Sequence, residues 1–394
     1  METNNKLIIM SKLFLFSENN ELIVENLNLI DSLNDQGITV GILSKNNTLV
    51  ELQNKIPSNY KEKILFINRG KQNEQVIINN KNQGLICALV GVVEADALFA
   101  FHCKIPLFNP EFIVNRIVVA DKVKSYGLPF WNFIDVVNCL VAFENYKRYY
   151  FGLFESPNYY VYSLINANTF HKPEDEVRIK EIFQTNLKGS QGTRNQKILL
   201  LLLFMLMGEV TTNSIYEEIN YWGTFPSSKR NNPNTSAAFI KESVRCILGK
   251  GPRGGHELFL RHTDMPSKHS SGNNRLNFKC DKDFDTLVVN PQIAHLIRGN
   301  SVCIIDDYIT KGYSAETAKH LLLKAGARKV VVLSIGKFGQ EYFSTQYQLL
   351  GDITQSNYQY NFVSQILNRK YNSNGESFYT DNDSDILSYG DLIF

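Results

Sequence analysis

Short uninterrupted apolar runs alternate along this chain with longer stretches in which apolar residues recur at helical spacing. In the N-terminal third, KLFLF (12–16), ITVGIL (38–43), KILFIN (63–68) and the block 85–93 read as strands. Between the first two, residues 22–34 carry Ile23, Leu27, Ile30 and Leu33 at helical spacing, and Gly37 is placed to end that helix. This strand–helix rhythm predicts a parallel sheet wrapped by helices. Further along, the continuous apolar run 302–305 ends in two acids, Asp306 and Asp307, and a loop containing Thr310, Lys311, Gly312, Tyr313 and Ser314 follows. An amphipathic helix, Gly326 at its end, and a second apolar strand, 330–335, complete the unit. Runs without alternation are those of strands buried on both faces.

The expected fold class is therefore α/β, with two parallel-sheet modules and a C-terminal extension. At 394 residues the length suits two or three domains. The pattern divides the chain into an α/β domain at 8–125, a connecting segment at 126–189, a second α/β domain at 190–345 and an appendage at 346–394. The connecting segment is dense in aromatics: Tyr146, Tyr149, Tyr150, Phe151, Tyr159, Tyr160 and Tyr162 interleave with Lys147 and Arg148. Such a stretch either packs as paired strands with hydroxyls at the rim or stacks nucleic-acid bases; paired strands are the simpler expectation. The polar run 188–192 reads as a linker. The appendage is rich in Tyr, Asn and Ser and carries Asp381, Asp383 and Asp385.

Apolar residues make up 43% and charged residues 20% of the chain, with net charge +2. That balance gives no global argument for binding nucleic acid or membrane. The longest apolar block, 198–207, is about half of what spans a bilayer, so a buried helix is expected. Cys87, Cys103, Cys139, Cys246, Cys280 and Cys303 are scattered without a CxxC pair, which points to buried thiols in a reducing, cytoplasmic setting. No basic stretch leads into an apolar one at the N-terminus, so no secretory signal is expected. His262 and His269 lie near Asp264 and Cys280, but their spacing is not that of a zinc site. His295 and His320 are expected on helix surfaces.

The densest chemistry lies between residues 301 and 337. A loop of Thr, Gly and Ser opening a helix directs backbone N–H groups outward and cradles an anion. Two carboxylates beside it suit a ligand with phosphate and vicinal hydroxyls, or phosphate-bound Mg²⁺. The run Asp306-Asp307-Tyr308-Ile309-Thr310-Lys311-Gly312-Tyr313-Ser314 resembles the PRPP-binding signature of type I phosphoribosyltransferases. It departs from that signature at Lys311, Tyr313 and Ser314. The segment 259–278 resembles the competence-protein (ComF-like) branch of the same family.

The resemblance implies binding of PRPP or a 5′-phosphoribosyl nucleotide with Mg²⁺, and transfer or cleavage at ribose C1. It assigns Asp306 and Asp307 to the ribose hydroxyls and metal, and the Thr310–Ser314 stretch to the 5′-phosphate. Ser228, Lys229 and Arg230 would bind pyrophosphate, and Arg261, Lys268 and Arg275 would belong to a mobile covering loop. Two other readings stand beside the transferase: a PRPP- or nucleotide-sensing regulator, and an effector or accessory protein of an anti-phage cassette. Fused proteins of this kind resemble retron accessory proteins, whose partners would be a reverse transcriptase and its non-coding RNA. An oligomer is expected in any of these settings.

The N-terminal third resembles the haloacid dehalogenase (HAD) phosphatase fold, with an unrelated Rossmann-like module as the alternative. In the HAD family the first strand delivers a nucleophilic Asp and an acid Asp two residues later. Aligned on KLFLFSENNEL, those positions hold Ser17 and Asn19. Ser44 matches the second motif, Gly91 and Asp96 the late acidic motif, and Lys81 is the candidate phosphate-sensing lysine. Ser17 and Asn19 cannot form an aspartyl-phosphate, so the resemblance implies a module that has lost phosphatase chemistry.

Overall fold

A computed structural model describes residues 5–113, 117–144, 149–188, 195–230, 235–248, 257–265, 279–369, 377–379, 386–387 and 389–393. The chain forms two compact units, Met1–Glu144 with Cys246–Gly249, and Asn145–Arg245 with Lys250–Phe394. Both are α/β, as the strand–helix alternation predicts.

The first unit is built on a six-stranded parallel sheet. Its strands are β1 (Lys6–Ser11), β2 (Ile38–Ser44), β3 (Ile64–Asn68), β4 (Ile86–Val90), β5 (Leu107–Asn109) and β6 (Leu128–Pro129). They lie in the order β3-β2-β1-β4-β5-β6, the doubly wound arrangement. Helices α1 (Leu27–Asp35), α2 (Asn46–Lys55), α3 (Lys71–Asn82), α4 (Glu94–Cys103) and α5 (Asp121–Tyr126) connect them, and α6 (Phe133–Glu144) follows β6.

The first strand differs from the expected one. KLFLF is not a strand: residues Lys12–Phe14 form a 3₁₀ turn, and the preceding KLIIMS takes the central place, with five consecutive buried positions between β2 and β4. Phe14, Leu15 and Phe16 are buried after the strand instead. The helix expected over 22–34 starts later, at Leu27, but buries Leu27, Ile30 and Leu33 at the predicted spacing. Gly37, at φ +73°, turns the chain into β2.

The second unit holds a mixed six-stranded sheet in the order β16-β7-β8-β13-β12-β9. Its members are β7 (Phe151–Ser156), β8 (Tyr159–Asn166), β9 (Ile219–Thr224), β12 (Ser301–Ile309), β13 (Lys329–Lys337) and β16 (Ser377–Tyr379). β8, β13, β12 and β9 run parallel, while β7 and β16 are antiparallel additions at one edge. Two smaller antiparallel pairs, β10 (Phe259–Arg261) with β11 (Leu287–Val289) and β14 (Glu341–Leu350) with β15 (Gln359–Arg369), belong to the same unit. The helices are α7 (Glu174–Lys188), α8 (Gln196–Thr212), α9 (Ser236–Leu248, in this unit as far as Arg245), α10 (Asp281–Phe284), α11 (Ala294–Ile297), α12 (Tyr313–Lys324) and α13 (Gly390–Ile393).

Two expected boundaries are corrected. The segment 126–189 is divided: β6 and α6 complete the first unit, whereas the aromatic strands β7 and β8 enter the second sheet. Tyr159 and Val161 on β8 face its core beside Val330 and Val332 of β13, so apolar burial draws these strands inward. The appendage at 346–394 likewise supplies most of the β14–β15 hairpin and the edge strand β16. Lys147 and Arg148 lie outside the described residues, as does most of the 188–192 linker. The apolar block 198–207 is buried within α8, and among the described residues no helix is long and apolar enough to cross a membrane. Cys87, Cys103, Cys139, Cys280 and Cys303 are buried free thiols.

Candidate functional site

Ligands of open α/β sheets sit at the carboxyl ends of parallel strands. In the second unit that edge gathers the residues singled out between 301 and 337. β12 lies between β13 and β9, with Asp306 in register with Ser334 and, one step earlier, Ile305 in register with Thr224. Behind Asp306 runs a polar row inside the sheet: the hydroxyls of Ser334 and Ser163 are 2.6 Å apart and fully buried. Asp306 and Asp307 are both half-buried. Each bends back on the chain: Asp307 N–H donates to Asp306 Oδ1 at 2.9 Å, and Tyr308 N–H to Asp307 Oδ1 at 2.6 Å.

The loop beyond them is held from below. Thr310 is exposed, but its carbonyl accepts from Lys337 Nζ at 2.6 Å. The carbonyl of Lys311 accepts from Phe343 N–H at 3.0 Å. Gly312 opens α12 in the left-handed region, φ +88° and ψ −3°. A Cβ there would lie 2.4 Å from the Tyr342 ring, so this position admits only glycine without rearrangement. The half-buried Tyr313 ring stacks on Phe343 at 5.7 Å, and Lys311 Nζ lies 5.4 Å from the same ring. Having no side chain, Gly312 offers no capping oxygen to the first-turn amides of α12.

Behind the loop, a buried polar cluster fastens α12 to β14. Fully buried Glu316 accepts from Tyr342 Oη at 2.7 Å and from Thr345 N–H at 2.6 Å, and it pairs with Lys319. Lys319 also reaches Glu155 at 2.9 Å, and Tyr159 Oη lies 2.8 Å from Tyr342 Oη. His320 differs from expectation: it is half-buried against β14 rather than on an open helix surface. Its Nε2 lies 3.0 Å from the Thr345 carbonyl, and burial pushes its pKa down to about 3, so the ring is neutral. His295 is exposed, as expected.

Lys337, the last residue of β13, is fully buried, and its Nζ donates to the carbonyls of Thr310, Phe338, Glu341 and Gly339 at 2.6, 2.8, 2.9 and 3.4 Å. Burial pushes its pKa down to about 7, while the carbonyl oxygens around Nζ favour the protonated form. Neither this lysine nor Tyr342 stands out in sequence, where one ends an apolar run and the other is one tyrosine among 19.

The expected pyrophosphate segment occupies the loop after β9, beside the end of β12. Lys229 and Arg230 are exposed and Ser228 is half-buried. The Ser228 carbonyl accepts from Met265 N–H at 2.8 Å, and Arg230 N–H donates to Asp264 at 2.5 Å. Arg261 is not part of a mobile loop. It is buried, pairs with Asp283 at 3.2 Å, bonds Thr286, and donates to the Ser227 carbonyl at 2.6 Å. From the end of β10 its guanidinium braces the 226–227 segment through the carbonyls of Pro226 and Ser227. Lys268, Arg275 and His269 lie outside the described residues. Among the described residues no group of three or more His, Cys, Asp or Glu side chains is arranged to hold a metal by itself.

In the first unit, the residue at the carboxyl end of β1 is Ser11. Ser17 and Asn19, aligned with the HAD acids, lie beyond the 3₁₀ turn, where Ser17 N–H bonds the Glu21 carbonyl. Ser44 ends β2 and lies 2.7 Å from Thr48 Oγ1. Asp96 is fully buried, accepts from the N–H groups of Val92 and Val93 at 3.0 Å each, and pairs with Arg69 at 2.6 Å. It therefore caps α4. Lys81, at the C-terminal end of α3, donates to the Cys103 and Lys104 carbonyls at the end of α4. That is the amino-end side of the sheet, opposite to where a phosphate-sensing lysine would act.

No protein-family profile matches the sequence, and no curated protein matches it. Among solved structures, the chain is similar to UMP synthase of Leishmania donovani at 12% identity, over 83% of this chain and 64% of that one. The TM-score is 0.17, an overlap too slight to define a common fold.

Proposed function

We propose that the protein binds PRPP or a 5′-phosphoribosyl nucleotide at the carboxyl edge of its second sheet and transfers or cleaves at ribose C1. The observation that carries this reading is the adjacency of β12 and β9. One of these parallel neighbours ends in paired acids and a glycine-opened helix, the other in a loop with two exposed basic residues. The Thr310–Ser314 stretch would hold the 5′-phosphate through backbone N–H groups and hydroxyls, and Asp306 and Asp307 would hold the ribose hydroxyls. Lys229 and Arg230 would neutralise a departing pyrophosphate, favouring the charge separation that develops at C1.

Mg²⁺ fits this edge. It is commonly bound by one or two carboxylates together with substrate phosphates and water, and Asp306 and Asp307 supply carboxylates without a closed protein cage. When bound, it neutralises charge on the phosphate oxygens.

The test is calorimetric binding of PRPP with Mg²⁺, followed by pyrophosphate release against pooled bases, nucleosides and nucleic acids. Asp306→Asn with Asp307→Asn should abolish binding while shifting Tm by less than about 5 °C. Unchanged affinity in that variant would sink the assignment. Binding without pyrophosphate release would identify a sensor. Release only with a reverse transcriptase or other partner present would identify a regulated effector.

A further inference from the structure

We infer that Lys337 is a positioning residue for the 5′-phosphate loop: its buried ammonium fixes the Thr310 peptide so that the loop amides face an incoming anion. The inference rests on the phosphoribosyl reading and adds to it a residue that does not touch the ligand. A fully buried lysine is rare unless paired, and this one is surrounded by backbone carbonyls. Three of its acceptors, Phe338, Gly339 and Glu341, belong to the turn that follows it. The shortest contact, 2.6 Å, goes elsewhere, to Thr310 in the loop after β12. Folding its own turn does not require that contact.

Peptide geometry supplies the consequence. In a trans peptide the C=O and N–H point in opposite directions, and no described peptide is cis. With the Thr310 oxygen held by Lys337, the N–H of Lys311 points away from the buried ammonium. The next carbonyl, that of Lys311, is held by Phe343 N–H at 3.0 Å, which turns the Gly312 N–H away from β14. Two successive amides are thus oriented by bonds made to the far side of their peptides. They precede the first turn of α12, whose own amides add to the same concavity. An ammonium on a carbonyl also polarises that peptide and strengthens its N–H as a donor.

The experiment uses the full chain with Mg²⁺ and two probes, ribose 5-phosphate for the loop and pyrophosphate for the segment after β9. Lys337→Met should weaken ribose 5-phosphate binding roughly tenfold, the scale of one hydrogen bond to a charged group, and leave pyrophosphate binding within about twofold. Lys337→Arg, which keeps the charge, should recover part of the loss. Unchanged ribose 5-phosphate affinity in Lys337→Met, or an equal fall for both probes, overturns the inference while leaving the phosphoribosyl reading intact. If the unaltered protein binds neither probe, that reading fails and the inference with it. Should Lys337→Met not fold, hydrogen exchange on the unaltered protein decides. Ribose 5-phosphate, and not pyrophosphate, should protect the amides of Lys311 and Gly312; absence of that protection overturns the proposal.

Discussion

Replacing Gly312 with alanine tests the architecture of the loop by stability alone, with no ligand present. The position has φ +88°, where an L-residue pays about 1–2 kcal/mol. The added methyl would also meet Tyr342 at 2.4, 2.6 and 2.7 Å, distances at which something must move. The ring has little room to retreat, because Tyr342 Oη is bonded to Glu316 at 2.7 Å and lies 2.8 Å from Tyr159 Oη. Its face also stacks on Phe151 at 5.8 Å. Overpacking of this kind costs about 1–3 kcal/mol, so Gly312→Ala should lose about 2–5 kcal/mol in all. Urea denaturation of Gly312→Ala, Tyr342→Ala and the double variant separates the two contributions. The steric part should appear as a coupling of about 1–3 kcal/mol, and the backbone part should remain in the double variant. A loss below about 0.5 kcal/mol for Gly312→Ala would refute the reasoning.

Arg261→Met should destabilise the protein by about 3–5 kcal/mol, because it leaves Asp283 buried without its partner; a loss under about 1 kcal/mol would show that the pair is dispensable. For His320, the folded-state pKa of about 3 lies below the ordinary 6.5, so between those values the unfolded chain binds a proton that the folded one refuses. Stability should therefore fall as pH drops through that window, by up to about 1.4 kcal/mol per pH unit. His320→Gln should flatten the slope, and an unchanged profile of Tm against pH would contradict this. The full-length protein should not hydrolyse generic phosphate esters, since Ser11 rather than a carboxylate ends β1. Mg²⁺-dependent hydrolysis lost on Ser17→Ala would show the opposite.

Much of the fold was legible because burial on both faces of a parallel sheet leaves a local mark. The apolar runs at β2, β3, β4, β12 and β13 fall where their residues predicted, as does the loop from Asp306 to Ser314 into α12. The first strand is ambiguous in sequence for a local reason: KLIIMS and KLFLF are adjacent apolar runs, and only pairing on both sides selects the first as β1. The resemblance of 259–278 to a covering loop carries no sign that Arg261 is buried; its burial depends on Asp283 and Thr286, more than 20 residues away.

What the sequence determined by itself was the class, α/β with two modules, and the segment that carries the acids and the glycine-opened helix. Strand length, apolar runs and turn residues are encoded within short windows, so they survive without knowledge of the fold. Only the tertiary structure decided that the aromatic strands β7 and β8 complete the second sheet, and that Tyr342 lies against Gly312. It alone brought the Lys337 ammonium to the Thr310 carbonyl, 27 residues away. These contacts join residues distant along the chain, and their partners are backbone carbonyls or one tyrosine among many, which leave no pattern in composition or spacing.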